Sequence, residues 1–320
     1  MRPQMLMNRH GPDVTAAQTP DAGAQRCGFI AVIGAPNAGK STLVNALVGA
    51  KVTIVSHKVQ TTRVPVRGIA LAGTSQLVFI DTPGIFAPRR RLDRAMVDAA
   101  ATAAGDADLV VLLVDAQKGV SEDVARILRR LADIARPRVL VLNKIDRVKK
   151  EQLLALAADL NGRLEFSATF MLSALTGSGV EDLKAHLARN VPEGPWHFPA
   201  DDLSDVPERQ LAAEITREKL YERLHQELPY SATVETTAWQ DRKDGSARIE
   251  QTIFVERDSQ RSIVLGEGGR TIKDISMRAR KELSTLLERP VHLFLHVKVQ
   301  EGWGDDPERY RNMGLDYPKG

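Results

Sequence analysis

The stretch Gly34–Ser41 constrains this chain more than any other part of it, and it reads Gly-Ala-Pro-Asn-Ala-Gly-Lys-Ser. An apolar run at 28–33 precedes it and a helix-forming run at 41–47 follows it, so its glycines fall where a buried strand turns into a helix. Backbone N–H groups at such a turn curl around a phosphate, and the helix N-terminus adds its positive end. The stretch therefore predicts a phosphate-binding loop in preference to an ordinary glycine-rich turn.

Two side chains at the end of this loop carry further chemistry. Lys40 would add a positive point charge beside the phosphates, and the Ser41 hydroxyl can ligate Mg²⁺. The residues expected to contact a bound nucleotide here are Asn37, Ala38, Gly39, Lys40, Ser41 and Thr42.

Length and composition limit the class of protein. A chain of 320 residues favours two domains, and 43% apolar with 27% charged residues is typical of a soluble globular protein. Cys27 is the single cysteine, which excludes an internal disulfide framework and fits a reducing compartment. The seven histidines lack metal-ligand spacing, and no apolar run reaches the length of a membrane span.

Residues 1–26 have hardly any aliphatic periodicity, so we expect a disordered N-terminal arm without a secretory signal.

The stretch 27–190 alternates short apolar runs with helical patterns. This alternation predicts an α/β domain with a mostly parallel sheet and helices on both faces. In such sheets ligands bind at the carboxyl ends of the strands, and each motif described below lies at such an end. Strands are predicted at 28–33, 66–71, 76–80, 108–114, 138–142 and 166–172, and helices at 40–49, 92–104, 121–135, 150–161 and 179–189.

Two motifs suit the sensing of a terminal phosphate. Asp81-Thr82-Pro83-Gly84 directly follows a predicted strand, so Asp81 can hold Mg²⁺ through water and the Gly84 N–H can contact the phosphate. Thr62 lies in the polar loop after the first helix, where a threonine can close onto Mg²⁺, although the neighbouring Thr61 could take this role. We therefore predict metal ligation by Ser41, Thr62 and Asp81.

The run Asn143-Lys144-Ile145-Asp146 indicates which base is bound. It follows a predicted strand, and a carboxylate at Asp146 would accept from both the N1–H and the exocyclic amine of guanine. Adenine would leave this carboxylate, which we expect to be buried, unpaired. The residues after the next strand, Ser173, Ala174 and Leu175, could brace the base through backbone N–H groups. The ligand is therefore GTP or GDP with Mg²⁺, and Lys40, Thr62 and Gly84 are the residues expected to act on the transferred phosphate.

The residue after Gly84 bears on catalysis. Many small GTPases have a water-orienting glutamine there, whereas this chain has Ile85, so we expect slow intrinsic hydrolysis. A partner, a K⁺ ion or a reordered loop would then complete the site. Arg63 and the trio Arg89–Arg91 lie near these loops, and we favour solvated loop charges over a catalytic arginine finger.

A second domain follows a linker rich in proline and aspartate at 191–207. The stretch 208–320 reads as a helix, two strands, two helices and a last strand, which is an α+β pattern. The loop between the two helices, Gly266-Glu267-Gly268-Gly269, resembles the Gly-x-x-Gly loop of a type II KH domain, which binds single-stranded RNA.

The stretch 208–320 is not basic as a whole, with 19 Lys and Arg against 20 Asp and Glu. Because Glu267 and Gly268 replace the usual basic residue, phosphate contacts are left to backbone amides and to Arg270 or Lys273.

Taken together, the ordered motifs at 28–190 resemble those of translation-factor-class GTPases, and with the KH pattern the chain resembles the Era family of ribosome-assembly GTPases. Further likeness lies in Arg217-Glu218-Lys219, in the run 227–231 and in the run 297–303. The resemblance implies a cytoplasmic GTPase switch that binds the 3′ end of 16S rRNA and assists late 30S assembly. It also implies peripheral membrane association in some members. We expect no DNA partner and a monomer.

Three alternatives stay open from the residues. The nucleotide site could be mainly structural within an RNA-binding or chaperone module. The first domain could belong to an ATPase or kinase, against which Asp146 counts. The chain could also be a tRNA-modifying or fission-type GTPase, against which the Gly-x-x-Gly loop counts.

Overall fold

The structure is a computed structural model that describes residues 24–58, 61–88, 90–224 and 228–318. Most of the predicted N-terminal arm lies outside the described residues, as do Val59, Gln60 and Arg89. Within the described part, no helix is both long enough and apolar enough to cross a membrane.

The first domain is built on a six-stranded sheet. Its strand order is β2-β3-β1-β4-β5-β6, and only the β2–β3 pair is antiparallel. The strands are β1 (Arg26–Gly34), β2 (Val66–Ala72), β3 (Ser75–Asp81), β4 (Leu109–Asp115), β5 (Arg138–Asn143) and β6 (Ala168–Leu172). The helices are α1 (Lys40–Val48), α2 (Arg91–Asp106), α3 (Glu122–Ala132), α4 (Lys150–Arg163) and α5 (Val180–Asn190). The predicted mostly parallel α/β domain is thereby confirmed.

Helices cover both faces of this sheet. Every residue of β3 and β4 is buried, which explains why 77–80 and 109–114 are continuous apolar runs instead of alternating ones. One core cluster packs α1 and α5 against the sheet, and the other packs α2, α3 and α4 against its opposite face. Because β1, β4 and β5 are parallel, their carboxyl ends lie at one edge, where the loops after them meet.

The second domain has a three-stranded sheet of order β7-β8-β9, with β7 antiparallel and β9 parallel to β8. Its elements are α6 (Glu208–Arg223), β7 (Ala232–Asp241), β8 (Ala247–Val255), α7 (Asp258–Leu265), α8 (Arg270–Leu286), β9 (Val291–Val299) and α9 (Pro307–Asn312). The predicted order of helix, two strands, two helices and a strand is confirmed. The short helix α9 was not predicted.

The stretch 191–207 runs along the first domain. Backbone atoms join it to β2 through a hydrogen bond from Ile69 N to the Leu203 carbonyl oxygen at 2.8 Å. The buried Gln76 side chain donates to the Phe198 carbonyl oxygen at 2.8 Å and accepts from the backbone N–H groups of His197 and Phe198. These contacts attach the connection between the two domains to the edge of the six-stranded sheet.

Candidate nucleotide site and RNA-binding loop

The phosphate loop has the backbone that its sequence predicts. β1 ends at Gly34, α1 begins at Lys40, and Gly39 between them has a φ of 101°, a conformation that favours glycine. Lys40 Nζ donates across the loop to the carbonyl oxygens of Gly34 at 3.2 Å and Ala35 at 3.1 Å. Burial lowers the pKa of Lys40 to about 8, and the nearby Asp81 opposes this shift. The ammonium group is thus held at the phosphate loop in a place where few waters solvate it.

The three predicted metal ligands lie together behind the loop. Ser41 Oγ donates to Asp81 Oδ2 at 2.8 Å and lies 2.9 Å from Thr62 Oγ1. Thr62 Oγ1 donates to the same Asp81 oxygen at 3.1 Å. Of the two threonines that the sequence left open, Thr62 is the one in the cluster, since Thr61 Oγ1 instead donates to the Lys58 carbonyl oxygen at 2.8 Å.

These side chains fit a magnesium ion. All three offer oxygen, the ligand atom that Mg²⁺ prefers. The other carboxylate oxygen of Asp81, Oδ1, is buried and has no hydrogen-bond partner. Burial raises the pKa of Asp81, against the lowering effects of Lys40 and the three hydroxyls that bond to it. A divalent cation at this carboxylate would favour its charged form and so offset the effect of burial on its pKa.

One of those three hydroxyls belongs to a residue that the sequence analysis missed. Thr53 Oγ1 donates to Asp81 Oδ2 at 2.9 Å, and Thr53 is buried. Thr53 precedes Thr62 in a stretch without a recognisable motif, so spacing alone could not single it out.

Gly84 lies directly against the phosphate loop. A Cβ at this position would come within 3.1 Å of Pro36, and Ile85 N donates to the Gly34 carbonyl oxygen at 3.3 Å. The Ile85 side chain is 2% exposed and belongs to the core beside α2. It therefore points away from the phosphate site and cannot orient a water molecule there.

The residues predicted to recognise the base form a connected wall. Asn143 Nδ2 donates to the Ala38 carbonyl oxygen at 2.8 Å, and Asn143 Oδ1 accepts from Ala174 N at 3.0 Å. Lys144 Nζ donates to the Asn37 carbonyl oxygen at 2.8 Å and pairs with Asp115 Oδ2 at 2.7 Å. Asp115, at the end of β4, is a second residue that the sequence analysis missed.

Asp146 differs from its expected setting. Its carboxylate lies at the exposed rim of the site, so the expectation of a buried carboxylate is wrong for this structure. A hydrogen bond with Ser173 is the main cause that lowers the pKa of Asp146. The pairing keeps the carboxylate charged and orients it beside the 173–175 loop. Leu175 is 74% exposed, so any contact with a base would come from its backbone.

The expectation that Arg63 is a solvated loop charge is wrong for this structure. It is 4% exposed, and its Nη2 donates to the Tyr221 hydroxyl of α6 at 2.7 Å. Its guanidinium also lies 5.4 Å from the Trp303 ring centroid. Two residues of the trio Arg89–Arg91 are described, and both have partners in the fold. Arg90 donates to the Tyr230 carbonyl oxygen, and the Arg91 guanidinium stacks on the Tyr317 ring.

Cavity size alone does not identify the site. The space between the phosphate loop and Thr62 has a volume of about 60 Å³, because the Thr62 segment is closed over the loop. A larger cavity of about 650 Å³ lies between α2 and residues 313–318. Four aspartates and one arginine line it, a balance that repels phosphates.

The predicted RNA-binding residues form a separate loop between α7 and α8. Gly266 has a φ of 71°, and a Cβ there would lie 2.2 Å from Thr271 Oγ1. Gly268 and Gly269 also have positive φ angles, so the backbone can turn sharply and stay open to a ligand. Arg270 is exposed and pairs with Glu267 at 3.2 Å, whereas Lys273 is exposed on α8. Ile263, 56% exposed on α7, adds an apolar side chain beside the loop that was not predicted as a site residue.

Comparison with known proteins agrees with this arrangement. A family model described as a 50S ribosome-binding GTPase matches residues 29–144, and a KH domain model matches residues 227–304. GTPase Era of Rhizobium meliloti is 65% identical over 294 residues, which cover 92% of this chain and 94% of that protein. The chain belongs to the GTPase Era family. The Era protein of Agrobacterium fabrum is 60% identical over 316 residues and 99% of each chain.

Two solved Era structures resemble the whole fold. One is a variant of Aquifex aeolicus Era bound to GDP·AlF₄⁻, with a TM-score of 0.86 and 35% identity over 91% of this chain and 99% of that one. The other is Era in complex with MgGDPNP and nucleotides 1506–1542 of 16S ribosomal RNA, with the same score, identity and coverage.

Proposed function

We propose that this chain binds GTP with Mg²⁺, hydrolyses it to GDP and phosphate, and binds the 3′ end of 16S rRNA through its KH domain during late 30S assembly. The observation that carries the proposal is the meeting of Ser41, Thr62 and Asp81 behind the phosphate loop. A terminal phosphate in the space that Lys40, Thr62 and Gly84 line would contact both Thr62 and Gly84. The solved Era complexes with GDP·AlF₄⁻ and with 16S rRNA support the ligands.

The proposed roles of the residues follow from their positions. Lys40 and the loop N–H groups neutralise charge on the phosphates, and Ser41, Thr62 and Asp81 hold the Mg²⁺. The ion would stabilise negative charge that develops on the phosphate oxygens. Asn143 and Lys144 fix the wall of the base site, and Asp146 accepts from guanine. The described site residues include no evident group to orient the attacking water, since Ile85 is buried in the core, so hydrolysis by the isolated chain is slow.

K⁺ is a candidate to complete the site, because Ile85 stands where a water-orienting glutamine is common. From the family we propose the cytoplasm as the location, with peripheral membrane association in addition. We also propose domain boundaries at 27–190, 191–207 and 208–320. The RNA contacts would come from Gly266, Glu267, Gly268, Gly269, Arg270 and Lys273.

Crosslinking of the full chain to purified 30S precursors, followed by mapping of the RNA, tests the function. We expect crosslinks from the KH loop to the 3′ end of the small-subunit RNA. Crosslinks that map elsewhere on the RNA would count against the assignment. A parallel assay with GTP and ATP tests the nucleotide, since equal hydrolysis of both would contradict the proposed role of Asp146.

A further inference from the structure

Helix α6 of the second domain contacts the segment that carries Thr62, defined here as the described residues 51–58 and 61–64. At one end of the segment, the Glu218 carboxylate accepts a hydrogen bond from Val55 N at 2.8 Å. Directly before Thr62, Arg217 Nη2 donates to the Thr61 carbonyl oxygen at 2.5 Å. Arg217 and Glu218 are only 1% and 3% exposed, so water competes little for either bond.

Other contacts join the same two parts of the chain. Lys51 Nζ pairs with Glu218 Oε2 at 2.7 Å, and Lys58 Nζ donates to the Leu224 carbonyl oxygen. Ile54, 1% exposed, lies in a cluster of buried apolar residues that otherwise belong to the second domain. The described parts of the segment are thus attached to α6 and its neighbours on both sides of residues 59–60.

We propose that Arg217 and Glu218 are positioning residues for GTP hydrolysis, which hold the Thr62 segment so that Thr62 stays beside Ser41 and Asp81. This inference rests on the proposed function, because it assigns a role in the GTPase reaction to the KH domain. Neither residue lies at the phosphate loop, so both act through Thr62.

Peptide geometry explains how Arg217 acts. The Thr61 carbonyl and the Thr62 N–H belong to one planar peptide unit, so a bond that fixes the Thr61 oxygen also fixes the plane from which Thr62 projects. The bond is charge-assisted, and the guanidinium is itself oriented by Glu214, whose Oε1 accepts from Arg217 Nε at 2.9 Å. The fork shape of arginine allows it to bond Glu214 and the Thr61 oxygen at the same time.

The coupling works in both directions. If α6 favours the closed position of Thr62, then closure of Thr62 on bound nucleotide must favour the docked position of α6 to the same extent. The KH domain would then respond to the third phosphate through a few side chains of α6.

The test uses the full chain with the substitution Arg217→Lys. Lysine keeps the charge beside Glu214 but loses the fork, so it cannot make both contacts in the same geometry. We expect kcat for GTP to fall roughly tenfold and the Mg²⁺ concentration for half-maximal rate to rise. GDP affinity should stay within about twofold, because Thr62 acts only when the third phosphate is present. A parallel loss of GDP affinity and kcat would indicate a general folding role and overturn the proposal.

A double-mutant cycle with Thr62→Ala tests whether Arg217 acts through Thr62. In the Thr62→Ala background, Arg217→Lys should cause no further loss of kcat, since the side chain that it positions is gone. Losses that multiply would overturn the proposal. Absence of GTP hydrolysis by the unaltered chain would instead contradict the proposed function itself.

The matched control is Arg223→Lys on the same helix. Arg223 is half exposed and pairs with Asp274 of α8 at 3.5 Å. We expect its kcat and Mg²⁺ dependence to equal those of the unaltered chain. An equal loss in the control would show that any change in α6 slows hydrolysis, and would overturn the specific role of Arg217.

Discussion

At the residue scale, Gly39 joins the phosphate loop to the wall of the base site. Asn143 lies so close that a Cβ on Gly39 would be 2.4 Å from its Nδ2 atom. This amide nitrogen donates to the Ala38 carbonyl oxygen, and the amide oxygen of the same side chain accepts from Ala174 N. The space beside Gly39 therefore decides whether Asn143 can hold the phosphate loop and the 173–175 loop in place through these two hydrogen bonds.

Substitution of Gly39 tests this close approach. Gly39→Ala combines backbone strain at a φ of 101° with displacement of Asn143, so we expect nucleotide affinity to fall by about tenfold or more. Gly49→Ala is the control, because Gly49 also has a positive φ of 82° but open space around it. Backbone strain alone should cost each variant about 1–2 kcal/mol in urea unfolding. Equal GDP affinities in the two variants would contradict the account of Gly39.

Base selection depends on the charge of Asp146. Asp146→Asn replaces an acceptor by an amide that can donate, so GTP affinity should fall roughly a hundredfold while xanthosine triphosphate, with a carbonyl in place of the amine, gains affinity. Competition against a fluorescent GDP analogue measures both. Leu175→Ala, at an exposed side chain of the same rim, serves as the control. Unchanged GTP affinity in Asp146→Asn would remove Asp146 from the base site.

At the scale of elements, the α7–α8 loop separates backbone contacts from charge contacts. Its glycines allow close approach, whereas Lys273 at the start of α8 offers a point charge to a phosphate. The two contributions have different salt dependence, since only the charge contact releases counterions.

Salt titration of RNA binding distinguishes them. Lys273→Gln should weaken binding and reduce the slope of log affinity against log salt by about 0.7, the value for one phosphate of a single strand. Lys243→Gln, at an exposed lysine in the turn between β7 and β8, is the control and should leave the slope unchanged. If both variants reduce the slope equally, then binding is not localised at the loop.

The sequence predicted the elements better than the contacts between them. Buried strands such as β4 and the loop at Gly34–Ser41 have strong local patterns, so the fold class and the phosphate site were predictable. The setting of Arg63 was not, because its partners Tyr221 and Trp303 lie far away along the chain. The role of Thr53 was not predictable for the same reason, because only the tertiary fold brings it to Asp81.

At the scale of the whole molecule, a cluster of partly buried charges joins the two domains. Glu282 of α8 pairs with Lys51 of the first domain and with Lys219 of α6, the latter at 2.7 Å. Burial by itself raises the pKa of Glu282, but the hydrogen bonds from Lys219 and Lys51 outweigh it, so the net shift is downward. The charged carboxylate is therefore stabilised at the junction.

This shift predicts how stability depends on pH. A carboxyl whose pKa is lowered on folding from 4.5 stabilises the folded state fully above about pH 5, and the contribution is lost as the pH falls through the folded pKa. Glu282→Gln should therefore lower the free energy of unfolding by about 1 kcal/mol at pH 7 and have a diminishing effect in acid. Urea unfolding at several pH values measures the difference. The control is Glu267→Gln, which removes one side of the exposed pair with Arg270. If the loss of unfolding free energy in Glu282→Gln does not depend on pH, the proposed role of the Glu282 charge is wrong.

We infer that the nucleotide at the Gly34–Ser41 loop controls the KH domain through the Thr62 segment. The most direct measurement is the affinity of the full chain for a single-stranded RNA with the 3′-terminal sequence of 16S rRNA, in the presence of Mg²⁺ with either GDP or a non-hydrolysable GTP analogue. We predict binding about tenfold tighter with the GTP analogue, and loss of this difference in Thr62→Ala. Equal affinities with the two nucleotides would contradict this control and favour an RNA-binding module with a structural nucleotide site.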